Sequence, residues 1–98
     1  MADFILLMHA DTVAPVSDAG WGDYFAALRA RGRFQGGSAI GAGSCVRKTG
    51  AAPPTTNHIT GFIRVSADDL AQARTLVAGN PVFEAGGTVE IRELPPTD

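Results

Sequence analysis

The sequence predicts an α+β domain with its elements in the order β-α-β-β-α-β, and three observations carry that prediction. His58 to Leu94 reads as a strand, a capped helix and a second strand without interruption. Asp3 to His9 is an apolar run of strand length, followed by a stretch with helical spacing. Phe34 to Gly41 supplies the remaining strand, weakened by glycine.

The first strand, Asp3 to His9, is apolar at consecutive positions, so Phe4, Leu6 and Met8 on one face and Ile5 and Leu7 on the other are both greasy. A strand of that kind is covered on both sides. The first helix starts around Ser17, with Ser17 or Asp18 as its cap. Trp21, Tyr24, Phe25 and Leu28 follow at the spacing of one apolar stripe. Arg29 and Arg31 suit the C-terminal end of the helix dipole, and Gly32 is placed to end it.

Gly36–Gly37 marks a bulge in an edge strand, and Ser44 to Lys48 extends that strand or forms a short hairpin arm. Thr49 to Asn57, with Gly50 and Pro53–Pro54, is a loop. His58 to Val65 is the third strand. Ser66 then stands as an N-cap with Asp69 at the third helical position. Leu70, Ala73, Leu76 and Val77 form the buried stripe of the second helix, Gly79 ends it, and Pro81 bars its continuation. Thr88 to Leu94 is the last strand, and residues 95–98 form a frayed tail.

This order is the split βαβ, or ferredoxin-like, arrangement: an antiparallel sheet with two helices on one face. One helical layer covers one face of the sheet. Phe4, Leu6 and Met8, taken as opposite the helices together with Phe62, make the other face too apolar to leave wet. The expected partner is a second copy of the chain, in a homodimer joined face to face through the sheets. Arg64 would be an anomalous charge on that face, to be paired with Glu90 or Glu93.

Composition narrows the function classes. The 98 residues, 45% hydrophobic and 18% charged, suit a single packed domain spanning 1–98. Eight basic against ten acidic residues give a net charge of −2 with no basic stripe, which argues against a nucleic-acid partner. No apolar run approaches the roughly 20 residues that span a bilayer, so no membrane association is expected. Asp3 precedes the apolar run and no basic segment leads it, so the expected location is the cytoplasm. Cys45 is the only cysteine, which excludes an internal disulfide.

The residues FILLMHADT, ALRARGR, FQGGSAIG and above all GFIRVSADDLAQARTLVAGNPVFEAGGTVEIREL resemble the YCII-related family. The resemblance covers nearly the whole chain apart from 42–57 and the tail. It implies the dimeric α/β-barrel architecture and a pocket between sheet, first helix and connecting loops. It implies no particular reaction. Two departures stand out. One branch of the family carries a DGPF-type segment before the third strand, where this chain reads TTNHITGF. Another has a histidine on the first helix paired with an aspartate, whereas Ser17 to Arg31 contains no histidine.

Candidate site residues therefore come from the strand ends. The first and third strands of this topology are adjacent and antiparallel, so His9 at the end of one approaches His58 at the start of the other. His9, oriented by Asp11, is the candidate general acid or base. Trp21, Ser38 and His58 are the candidate ligand-binding residues. No close-spaced motif supports a metal at His9, Asp11 and His58, and GGSAIGAG lacks the lysine of a phosphate-binding loop, so neither metal nor cofactor is expected. Two functions compete: a homodimer binding a small molecule between sheet and first helix, and a cofactor-free hydrolase, lyase or isomerase using His9 and Asp11.

Overall fold

The computed structural model describes residues 1–96. Strands β1 (Ala2–His9), β2 (Phe34–Ala39), β3 (Ile59–Ala67) and β4 (Val89–Leu94) form one antiparallel sheet in the order β2-β3-β1-β4. Helices α1 (Asp18–Ala30), α2 (Leu70–Thr75) and α3 (Pro81–Glu84) complete an α+β fold. Pro95 and Pro96, in the expected tail, belong to no helix or strand, and the rest of that tail lies outside the described residues.

Strand β1 sits centrally, and its register decides which face is buried. Phe4, Leu6 and Met8 lie opposite Val65, Ile63 and Gly61 of β3, and this set packs beneath Tyr24 and Leu28 of α1, Ala73 of α2, Leu76 and Val82. The expectation that Phe4, Leu6 and Met8 face away from the helices is therefore wrong. With both faces of β1 apolar, its own alternation cannot choose between them. The Gly61, Ile63 and Val65 face of β3 makes the choice. Ile5 and Leu7, the latter opposite Phe62, form the open face instead.

Helix α1 begins as its sequence dictates: Ser17 Oγ accepts from the Gly20 amide at 3.1 Å. It ends at Gly32, whose φ of +69° lies in the left-handed region that glycine adopts without strain. Burial of Tyr24 and Leu28 leaves Trp21 and Phe25, a few residues round the helix, half-buried at its side.

The second helix departs from expectation. Strand β3 runs on through Ser66, which is buried, and the Ser66 amide donates to the Arg33 carbonyl. Asp69, not Ser66, caps α2 by accepting from the Gln72 amide at 2.8 Å, and Gln72 Oε1 accepts from the Asp68 amide at 2.6 Å. Asp69 and Gln72 have the capping spacing expected of Ser66 and Asp69, three residues further along. Leu70, expected in the buried stripe, is exposed. Pro81 does not merely stop a helix: it opens α3 at a first-turn position, where its missing N–H costs nothing. Asn80 caps that turn, its Oδ1 accepting from Val82 and Phe83. Three helices thus stand where two were expected.

In β2 the expected bulge is present, with a register shift between Phe34 and Gly37. A Cβ on Gly37 would collide with the Phe62 carbonyl oxygen and lie 3.0 Å from Ile63 Cα, so only glycine lets the edge strand approach this closely. Residues 40–58 contain no helix or strand, including the expected arm at Ser44 to Lys48, and all are exposed.

Candidate functional site

The end of the sheet formed by the C-terminal ends of β1 and β2 and the start of β3 carries two neighbourhoods, one on each face. On the helix side lies a cleft of about 630 Å³. Its floor is Met8, Gly61 and Ile63, with Gly37 and Ala39 on the edge strand. Trp21 and Phe25 form the wall above, and Val16 and Val82 help close it. The helical spacing that sends Tyr24 and Leu28 into the core turns Trp21 and Phe25 toward this cleft. Their rings stack at 5.6 Å with 30° between planes, and Phe34 extends the row at 5.0 Å from Phe25. Beneath them Gly61 contributes no side chain, so the space over β3 stays empty.

Strand alternation turns the His9 side chain away from Met8 and onto the open face with Leu7 and Glu90. His9 Nε2 lies 2.9 Å from Glu90 Oε1, and the His9 and His58 rings meet edge to face with centroids 5.3 Å apart. The topological expectation that the two histidines converge is thus met in the geometry. The backbone ties the same corner together, because the Ala10 amide donates to the His58 carbonyl at 2.8 Å. Arg92 Nη1 sits 3.3 Å from the other Glu90 oxygen. The His9 hydrogen bond, and after it the Arg92 one, hold the Glu90 carboxyl below the usual carboxylate range.

Asp11 does something other than orient His9. Its Oδ1 accepts from the Thr88 amide at 2.8 Å and its Oδ2 from the Thr88 hydroxyl at 2.6 Å. Those bonds lower its pKa, the hydroxyl contributing most. Asp11 is a clamp between the chain leaving β1 and the chain entering β4. Glu90 is the carboxylate that holds His9, and sequence reasoning missed that role. The signal was present: β1 and β4 are adjacent, and Val89 and Ile91 facing inward leave Glu90 on the His9 side.

Of the candidate ligand-binding residues, Trp21 and Ser38 line the cleft, while His58 lies on the His9 side. Ser38 Oγ donates to the Ala39 carbonyl at 2.9 Å. Arg64 is exposed and makes no ion pair among the described residues; Glu90 is committed to His9 and Arg92. Among the described residues, no three His, Cys, Asp or Glu side chains are grouped to hold a metal ion. No described helix is long and apolar enough to cross a membrane.

The sheet, its helical cover and the apolar cleft at one end define a small α+β protein with a built cavity and no metal-type ligand cluster among the described residues. The chain matches the family model of the YCII-related domain over residues 9–97, and it belongs to that family. No curated protein matches the sequence.

Proposed function

We propose that this protein is a homodimer that binds a small molecule in the cleft between the sheet and α1, each subunit being a ferredoxin-like unit of a dimeric α/β barrel. The observation that carries the binding reading is the cleft itself. Its volume of about 630 Å³ falls inside the roughly 300–1,000 Å³ range of small-molecule sites. It has an aromatic wall and few polar groups, the form such sites take.

The strand order β2-β3-β1-β4, antiparallel throughout, supports the ferredoxin-like reading. The open face supports the dimer. Ile5, Leu7 and Phe62 form an apolar centre, and both signs of charge surround it, with Asp3 and Glu90 against Arg64 and Arg92. A two-fold axis through such a face sets apolar on apolar and lets opposite charges meet.

The competing acid–base reading drew on His9 with Asp11. Both Asp11 oxygens are bonded to Thr88, and the His9 ring turns away from the cleft, so the binding reading is favoured. Ligand-observed NMR with a metabolite set tests it, comparing the natural chain with Ala39→Leu, which narrows the cleft from the edge strand. Compounds that bind the natural chain should lose binding in the variant. Equal binding to both places the site elsewhere.

A further inference from the structure

The chemistry of the cleft lining narrows what it accepts. No Lys, Arg, Asp or Glu side chain lines it. The one titratable residue at its border, His9, has its Nε2 committed to Glu90 on the other face of the sheet. The nearby start of α1 presents no free cradle for an anion. Its Gly20 amide is taken by Ser17, and Asp18 adds a negative charge to its first turn. An ionised ligand would therefore leave water without a partner for its charge, at a cost far above that of a neutral group.

Shape adds a second restriction. The cleft is a slot, walled by the stacked rings of Trp21 and Phe25 and floored by Gly61 and Ile63. Offset and edge-on contacts with two aromatic rings favour a flat apolar body. The polar groups that Trp21 and Thr12 bring to the slot, an indole N–H and a hydroxyl, are neutral. Ser38 pairs with Phe62, so its hydroxyl sits on the open face, where it donates to the Ala39 carbonyl at 2.9 Å. An indole N–H donates and a threonine hydroxyl takes either role, which suits a neutral ligand with a polar edge.

Resting on the binding reading above, we infer that the cleft selects an uncharged, flat, largely apolar ring compound and discriminates against carboxylates and phosphates. The test compares 1-naphthamide with 1-naphthoate, which share a ring system and differ in charge. Each is titrated into the full chain at neutral pH while the Trp21 indole N–H and the Ala39 amide are followed by NMR. Trp21 is the only tryptophan, so its indole signal is unambiguous.

The expected result is binding of the amide at least about tenfold tighter than the acid, with both probes shifting. Ala39→Leu should weaken the amide by about tenfold or more. Equal or tighter binding of the naphthoate, with the same two signals moving and the same sensitivity to Ala39→Leu, overturns the neutral preference and leaves the cleft as the binding site. If the naphthamide moves neither Trp21 nor Ala39, the inference is overturned. If compounds that bind elsewhere on the chain are then insensitive to Ala39→Leu, the binding reading falls with it.

Discussion

Glu90 Oε1 stands 2.9 Å from His9 Nε2, joining the last residue of β1 to the second residue of β4 on the open face of the sheet. The carboxylate also meets Arg92, so its charged form is favoured from two sides. Its folded pKa is below its unfolded one, which is near 4. Stability from Glu90 is therefore present above that unfolded value and is lost as pH falls through the folded one. Glu90→Gln should flatten the acid limb of a plot of urea midpoint against pH, and the gap between variant and natural chain should close at the acid end. A gap that widens toward acid contradicts the pairing.

Asp11 and Thr88 make the same kind of prediction at a different joint. The Thr88 bonds depress the Asp11 pKa, so its contribution also appears above about pH 4 and fades below it. Asp11→Ala should lower the thermal midpoint more at pH 7 than at pH 3. Thr88→Val, which removes the shorter of the two bonds, should lower it by less, since the Thr88 amide still donates.

Tyr24 anchors α1 to the turn after α2. Its buried hydroxyl donates to the Leu76 carbonyl at 2.6 Å, and burial pushes its pKa up. Tyr24→Phe leaves that carbonyl without its partner and should cost about 1–3 kcal/mol by denaturant unfolding. Leu28→Ala, which opens a cavity beside it, should cost about 2–5 kcal/mol. A Tyr24→Phe chain as stable as the natural one would show that the carbonyl finds water.

Gly37 and Ala39 lie two residues apart on one edge strand and should respond in opposite ways. Gly37→Ala drives a methyl group into the Phe62 carbonyl and should destabilise by at least about 1–3 kcal/mol. Ala39 is exposed at the cleft, so Ala39→Leu should stay within about 0.5 kcal/mol of the natural chain. Urea unfolding of the pair checks both, and that near-neutrality is what makes Ala39→Leu a clean probe of binding.

The proposed dimer has its own test. Leu7→Asp places a charge in the apolar centre of the open face, and Phe62→Ser removes its largest ring. Light scattering after gel filtration should give a dimer mass for the natural chain and a monomer mass for Leu7→Asp. A natural chain that runs as a monomer at micromolar concentration contradicts the face-to-face pairing.

The strands, α1 and the meeting of His9 with His58 were legible because each depends on local spacing or on neighbouring strands alone. The side of β1 that faces the helices was not, since Phe4, Leu6 and Met8 are no more apolar than Ile5 and Leu7. Register against β3 supplied that choice. Ser66 reads as a cap by local preference, but its amide is drawn into the ladder by the Arg33 carbonyl, and Asp69 takes over the cap. Asp11 stands beside His9 in sequence, yet Thr88 is brought to it by the turn into β4 and offers two donors at once. The Glu90 partnership depended on the same long-range pairing. The cleft wall was half visible: Trp21 was singled out, whereas Phe25, Val16 and Ala39 joined it only once α1 was laid on the sheet.

X-ray fragment screening on crystals of the full chain shows directly which face of the sheet takes a ligand. Fragments should sit between the Trp21 and Phe25 rings and the Gly61 floor, with occupancy lost in Ala39→Leu crystals. Fragments gathered on the open face around Leu7 and Phe62, with the slot beneath Trp21 empty in every data set, would contradict it.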